Sequence, residues 1–107
     1  MTTIEAFFEK GIPHGLRVRG HSGYGEEGSD IVCSAISVLV QTLYIGLSDV
    51  GGYDVEAEVD EGGAAISLEW GADAGEACRI LTESVFRALR GVAGAYGDYA
   101  EYVEVSL

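Results

Sequence analysis

The sequence predicts an α+β domain, with two helices laid on one face of a mostly antiparallel sheet, in the order β-β-α-β-β-α-β. Three observations point there. Five runs alternate apolar and polar residues with a period of two, as half-buried strands do. Two longer stretches carry apolar residues at helical spacing. Glycine-rich segments separate most of these runs and supply the turns. The 107 residues contain no repeat, linker or low-complexity segment, and are read as one domain spanning residues 1–107.

The elements follow in order. Ile4, Ala6 and Phe8 alternate with Glu5, Phe7 and Glu9; Leu16, Val18 and Gly20 alternate with Arg17 and Arg19. Together they read as a hairpin, with the turn expected at Gly11-Ile12-Pro13-His14-Gly15. The loop from His21 to Gly28 precedes a helix capped by Ser29 or Asp30 and running to about Ser48. That helix is apolar around most of its circumference, so more than one neighbour must cover it. Tyr53, Val55, Ala57 and Val59 alternate with Asp54, Glu56, Glu58 and Asp60 in a strand, and Glu61-Gly62-Gly63 turns into Ala64–Trp70. A second helix is expected from Asp73, with Glu76 completing a capping box. Its inner stripe is read as Ala77, Ile80, Leu81, Ser84, Val85, Ala88 and Leu89, ending at Gly91 and Gly94. The last strand, from Tyr99, is expected to turn Val103, Val105 and Leu107 inward.

Composition narrows the function. Six basic residues face eighteen acidic ones, a net charge of −12. Binding nucleic acid requires cations against phosphates, so this balance argues against it and suits a basic peptide partner. The apolar stretch Ile31–Leu47 is interrupted by Ser34, Ser37, Gln41 and Thr42, and reads as too polar and too short to cross a membrane. The N-terminus lacks the basic and apolar regions of a signal peptide, so a cytoplasmic location is expected. In that reducing compartment Cys33 and Cys78 are not expected to form a disulfide.

The segment Gly20 to Ser37 carries the chemistry. Cys33 falls near the start of the first helix, where unpaired N–H groups and the helix dipole favour negative charge. His21 ends a strand, and eleven residues separate it from Cys33. A loop of that length can return the imidazole to the thiol and form a Cys–His pair for nucleophilic attack. The same N–H groups can hold an oxyanion. Spacing alone equally allows a packed cysteine and a solvated histidine. Gly23-Tyr24-Gly25-Glu26-Glu27-Gly28 fits the G-x-G-x-x-G outline of a dinucleotide loop. Glu26 and Glu27 would repel a pyrophosphate, and no run of βα units follows. No pair among His14, His21, Cys33 and Cys78 has metal-ligand spacing. Asp54, Glu56, Glu58 and Asp60 read as a solvated strand face. No metal or cofactor is expected.

The same segment resembles the signature of the ribosomal-processing cysteine proteases, the Prp family. Gly20-His21 ends a strand; Gly28-Ser29-Asp30-Ile31-Val32-Cys33 enters a helix; Ser37 follows four residues after the cysteine, and Tyr24 stands where the family has an aromatic. Chain length and element order agree. The resemblance implies a homodimeric α+β cysteine protease that removes the N-terminal extension of a large-subunit ribosomal protein, cutting after an aromatic residue. It implies Cys33 as nucleophile and His21 as general base. Asp30 and Ser37 are supporting candidates: Asp30 orients His21 or only caps the helix, and Ser37 binds substrate or is simply packed. Ser22, Gly23, Tyr24, Gly25, Glu26, Glu27 and Gly28 form the candidate substrate loop. Ser22 and Ser34 replace residues that are often Ala in the family, and Gly23 and Gly25 make this loop more flexible than most. The alternative is a non-enzymatic ribosome-associated binding protein with an inert Cys–His pair.

Overall fold

Strands β1 (Thr2–Glu9) and β2 (Ile12–Arg19) form the opening hairpin. Its two loop residues, Lys10 and Gly11, have φ of 52° and 78°. Positive φ at both positions marks a turn whose twist matches that of the strands it joins. The turn thus precedes the expected Gly11–Gly15 segment, and Pro13 lies inside β2. The register explains why a proline is tolerated there. Phe7 pairs with Gly15 and Phe8 with Pro13, leaving His14 as the extra residue of a bulge. The Trp70 indole N–H donates to the Pro13 carbonyl at 3.0 Å.

The computed structural model describes residues 1–20, 29–60, 65–72 and 75–107, with Ser29 and Asp30 described as backbone alone. The chain is α+β, in the order expected: α1 (Ser29–Tyr44), β3 (Val55–Asp60), β4 (Ala65–Trp70), α2 (Glu76–Ala95) and β5 (Ala100–Ser106) follow the hairpin. Strand order across the sheet is β3-β4-β2-β1-β5. Three pairings are antiparallel, and β1–β5 is parallel. That single parallel contact makes the mostly antiparallel sheet a mixed one.

Side chains at paired positions share a face, so the register defines the core. Ile4 and Ala6 on β1, Leu16 and Val18 on β2 and Leu68 and Trp70 on β4 all belong to the helix-covered side. Helix α1 contributes Val32, Ile36, Val40 and Leu43, and the wider π-helical turn Ile45–Val50 adds Leu47. By length and composition residues 31–50 would suffice to cross a membrane, contrary to the expectation from sequence. Here that helix places its buried stripe in the core of the domain.

Two other expectations change. Helix α2 starts at Glu76 with Gly75 in the capping position, and runs through Gly91 and Gly94 to Ala95. Asp73 lies outside the described residues. Its buried stripe is Cys78, Thr82, Val85, Phe86, Leu89 and Ala93, while Ile80 is exposed. Phe86 explains the rotation: it packs between Phe8 and Trp70, with ring centroids at 5.6 and 6.3 Å. The largest side chain of the helix thus takes the largest gap in the sheet. On β5, Ala100 pairs with Thr2 and Tyr102 with Ile4, and these face the helices. Val103 and Val105 consequently fall on the outer face, and Leu107 is exposed.

Candidate active site

Three described features bear on the site: the end of β2, the start of α1, and an open groove between the middle of α1 and strands β2 and β4. Strand β2 ends at Arg19, whose Nε donates to Glu5 Oε1 at 3.0 Å. Gly20 then turns the chain out of the sheet with φ of +89°. A Cβ there would stand 2.5 Å from the Met1 carbonyl oxygen, so glycine is required both by the conformation and by the space. His21 and the candidate substrate loop, Ser22 to Gly28, lie outside the described residues.

The chain resumes at Ser29, already helical. Ser29 and Asp30 therefore occupy the first turn of α1 and not the capping position expected for one of them. The N–H groups of Ser29, Asp30 and Ile31 have no acceptor within the helix. An acidic residue in that turn suits the positive end of the dipole. Cys33 is the fifth residue of α1, one or two residues further in than expected. Its Cα–Cβ bond leans toward the helix N-terminus, so the thiol lies over the first turn, near those N–H groups. Cys33 is exposed. Val32, its neighbour, is fully buried and fixes which way the helix faces.

Ser37 is exposed one turn beyond Cys33, on the same side of α1. It lines a small groove with Val18, Ile36, Val40, Gln41 and Ile66. That groove sets the middle of α1, Ile36 to Gln41, beside Val18, two residues before Gly20 leads into His21. Ser37, one turn after the expected nucleophile, thus lies beside the part of β2 that leads to the expected base. Gln41 was not singled out by sequence reasoning. The signal was present, since Cys33, Ser37 and Gln41 recur every four residues.

The remaining candidates separate cleanly. Cys78 is buried in the core, where burial pushes its thiol upward from the ordinary range, and it is not disulfide-bonded to Cys33. Glu56, Glu58 and Asp60 are exposed on β3, paired across to Glu69, Ser67 and Ala65 on the outer face of the sheet. Among the described residues no three His, Cys, Asp or Glu side chains are grouped to hold a metal. His14, at the bulge, lies against Phe7 with ring centroids 6.4 Å apart.

The fold has close structural counterparts. SMU.848 from Streptococcus mutans superposes with a TM-score of 0.89 at 24% identity, covering 100% of this chain and 96% of its own. The essential ribosomal processing protease Prp from S. aureus, solved in complex with a substrate peptide, gives 0.87 at 15% identity, covering 98% of this chain and 100% of its own. The same S. aureus protease with a covalently linked product peptide gives 0.85 at 16% identity, with the same coverage. A comparison with curated proteins returns no match. The profile of the family described as cysteine protease Prp matches residues 1–101, nearly the whole chain, and the protein belongs to that family.

Proposed function

We propose that this protein is a thiol endopeptidase that removes the N-terminal extension of a large-subunit ribosomal protein, with Cys33 as nucleophile and His21 as general base. One observation carries the reading. An exposed cysteine stands near the start of a helix whose following turns share a groove with Val18, close to the strand end that leads into His21. Membership of the Prp family supports the reaction class. The ribosomal processing activity named for the S. aureus relative supports the choice of substrate. The net charge of −12 suits a basic polypeptide arriving by electrostatic attraction, which salt would weaken.

The steps balance without a cofactor. The His21 imidazole takes the Cys33 proton, and the thiolate attacks the scissile carbonyl carbon. First-turn N–H groups of α1 donate hydrogen bonds to the developing oxyanion. The imidazolium donates its proton to the leaving amine, the C–N bond breaks, and the extension remains on Cys33 as a thioester. Water adds with its proton passing to His21, and collapse of that intermediate releases the new carboxyl terminus and restores the thiol. Asp30 is assigned to orient the histidine and Ser37 to contact the peptide, and the Ser22–Gly28 loop to close over it. The reading places the protein in the cytoplasm, where ribosomal proteins are made.

A homodimer belongs to the same reading. Ile31 and Val38 lie seven residues apart on α1 and are 63% and 60% exposed. Such a ridge is suited to pairing with its own copy about a two-fold axis.

An affinity label tests the chemistry. A peptide with the sequence before the cut and ending in a chloromethyl ketone should alkylate Cys33, identified by peptide mapping. The rate should fall at least about tenfold in His21→Ala. Labelling at Cys78, or a rate indifferent to His21, contradicts the assignment.

A further inference from the structure

The groove at Ser37 does not end there. Val40, Gln41 and Ile66 also line a larger apolar groove of about 340 Å³, completed by Tyr44, Ile45, Ala57 and Leu68. It exists because α1 stops short of the sheet edge. The residues of β3 that face the helix layer, Ala57 and Val59, stay exposed, Val59 at 67%. Apolar surface of this kind on so acidic a chain marks a place where apolar groups are received.

Its position relative to the nucleophile suggests what is received. Cys33, Ser37, Gln41 and Tyr44 are spaced by four, four and three residues, and so form one ridge along α1. The two grooves run beneath that ridge. At about 1.5 Å of rise per residue, Tyr44 stands roughly 16 Å along the helix from Cys33. An extended peptide covers that distance in roughly five residues. We infer that the groove between α1 and the β4–β3 hairpin is a specificity pocket that takes a leucine- or phenylalanine-class side chain of the substrate about five residues from the scissile bond. This rests on the protease reading given above. Continuity with the groove at Ser37, one turn from Cys33, favours the peptide over a second copy of the chain, which the outward ridge of Ile31 and Val38 would engage instead.

Binding to the full-length Cys33→Ala protein tests the pocket separately from catalysis. The probe is a fluorescent peptide spanning the extension and cut of the same organism's ribosomal protein. Ala57→Trp fills the groove at an exposed edge position that accepts an aromatic residue. It should raise the Kd of this peptide about tenfold, the loss of one buried apolar side chain. A peptide trimmed to within about three residues of the cut does not reach the groove, and its Kd should not change. Replacing the apolar residue about five positions from the cut with Asp should weaken binding to Cys33→Ala to a similar degree. The same replacement should cost little more in the Ala57→Trp background, a comparison that does not depend on the variant alone. An unchanged Kd, no measurable binding of the long peptide, an equal loss for both peptides, or a change in oligomeric state with peptide affinity intact would each overturn the proposal. Failure of the protease reading shows elsewhere, as wild-type protein leaving the long peptide uncut while still binding it.

Discussion

Cys33 and Cys78 are both helical cysteines, and their surroundings give them opposite chemistry. Cys33 is exposed over the first turn of α1; Cys78 is in the core with its thiol pushed up by burial. Iodoacetamide at neutral pH should therefore modify Cys33 and spare Cys78 in the native protein, as intact mass and peptide mapping would show. Modification of both at similar rates would mean the core around Cys78 opens readily. Tyr102 supplies a second residue-level expectation. Burial raises its phenol, and the carboxylate of Glu104, which accepts its hydrogen bond at 3.1 Å, raises it further. A phenol raised in the folded state contributes stability that is present below its unfolded value of about 10. That contribution is lost as pH rises toward the folded value. The urea midpoint should fall above about pH 10, and Tyr102→Phe should flatten that fall. Residue identity drew attention to Cys33 as the proposed nucleophile, because Asp30-Ile31-Val32-Cys33 is a dense motif. It did not reveal Gln41 or the Tyr44 end of the groove, whose roles come from the edge strand opposite them.

Elements were legible where periodicity had one interpretation. Alternation in β1, β2, β3 and β4 matches the faces observed, because only one set of alternate positions in each is consistently apolar. Strand β5 offered two apolar sets, Ala100 with Tyr102 and Val103 with Val105. Its parallel register beside β1 decides between them, and nothing within the strand encodes that partner. The hairpin turn was displaced for a similar reason. Proline normally marks a turn, yet at a bulge it is accommodated within a strand. Gly20 is where element structure meets the site. Gly20→Ala should destabilise the fold by about 2 kcal/mol or more, since it imposes a strained φ and a backbone clash together. It should also lower cleavage, measured at a temperature where the variant is still folded, by shifting the chain that leads into His21. A fully active, fully stable Gly20→Ala protein would show that this turn relaxes without consequence.

Across the molecule, one layer of two helices leaves part of α1 and most of β3, from Glu56 to Asp60, uncovered, while Val55 packs against the core. The sequence shows a helix apolar nearly all round, and only the packing separates its faces. Leu43 and Leu47 are fully buried inside the domain, whereas Ile31 and Val38 form the outer ridge. Sedimentation equilibrium at micromolar concentration should give twice the 11.3 kDa chain mass. Val38→Glu should give a folded monomer. Leu43→Glu should instead unfold the chain, because it buries a charge without a partner. A wild-type monomer, or a Val38→Glu protein that remains dimeric, removes this ridge from the account.

The central claim is that Cys33 cuts a ribosomal protein precursor near its N-terminus. The most direct measurement is mass spectrometry of that precursor, from the same organism, after incubation with wild-type or Cys33→Ala protein. The expected result is a single cut by the wild type that leaves the mature protein with a new N-terminus. Folded Cys33→Ala should cut at least about a thousandfold more slowly. An intact precursor with the wild type, or cleavage by the folded variant at a similar rate, would contradict the claim.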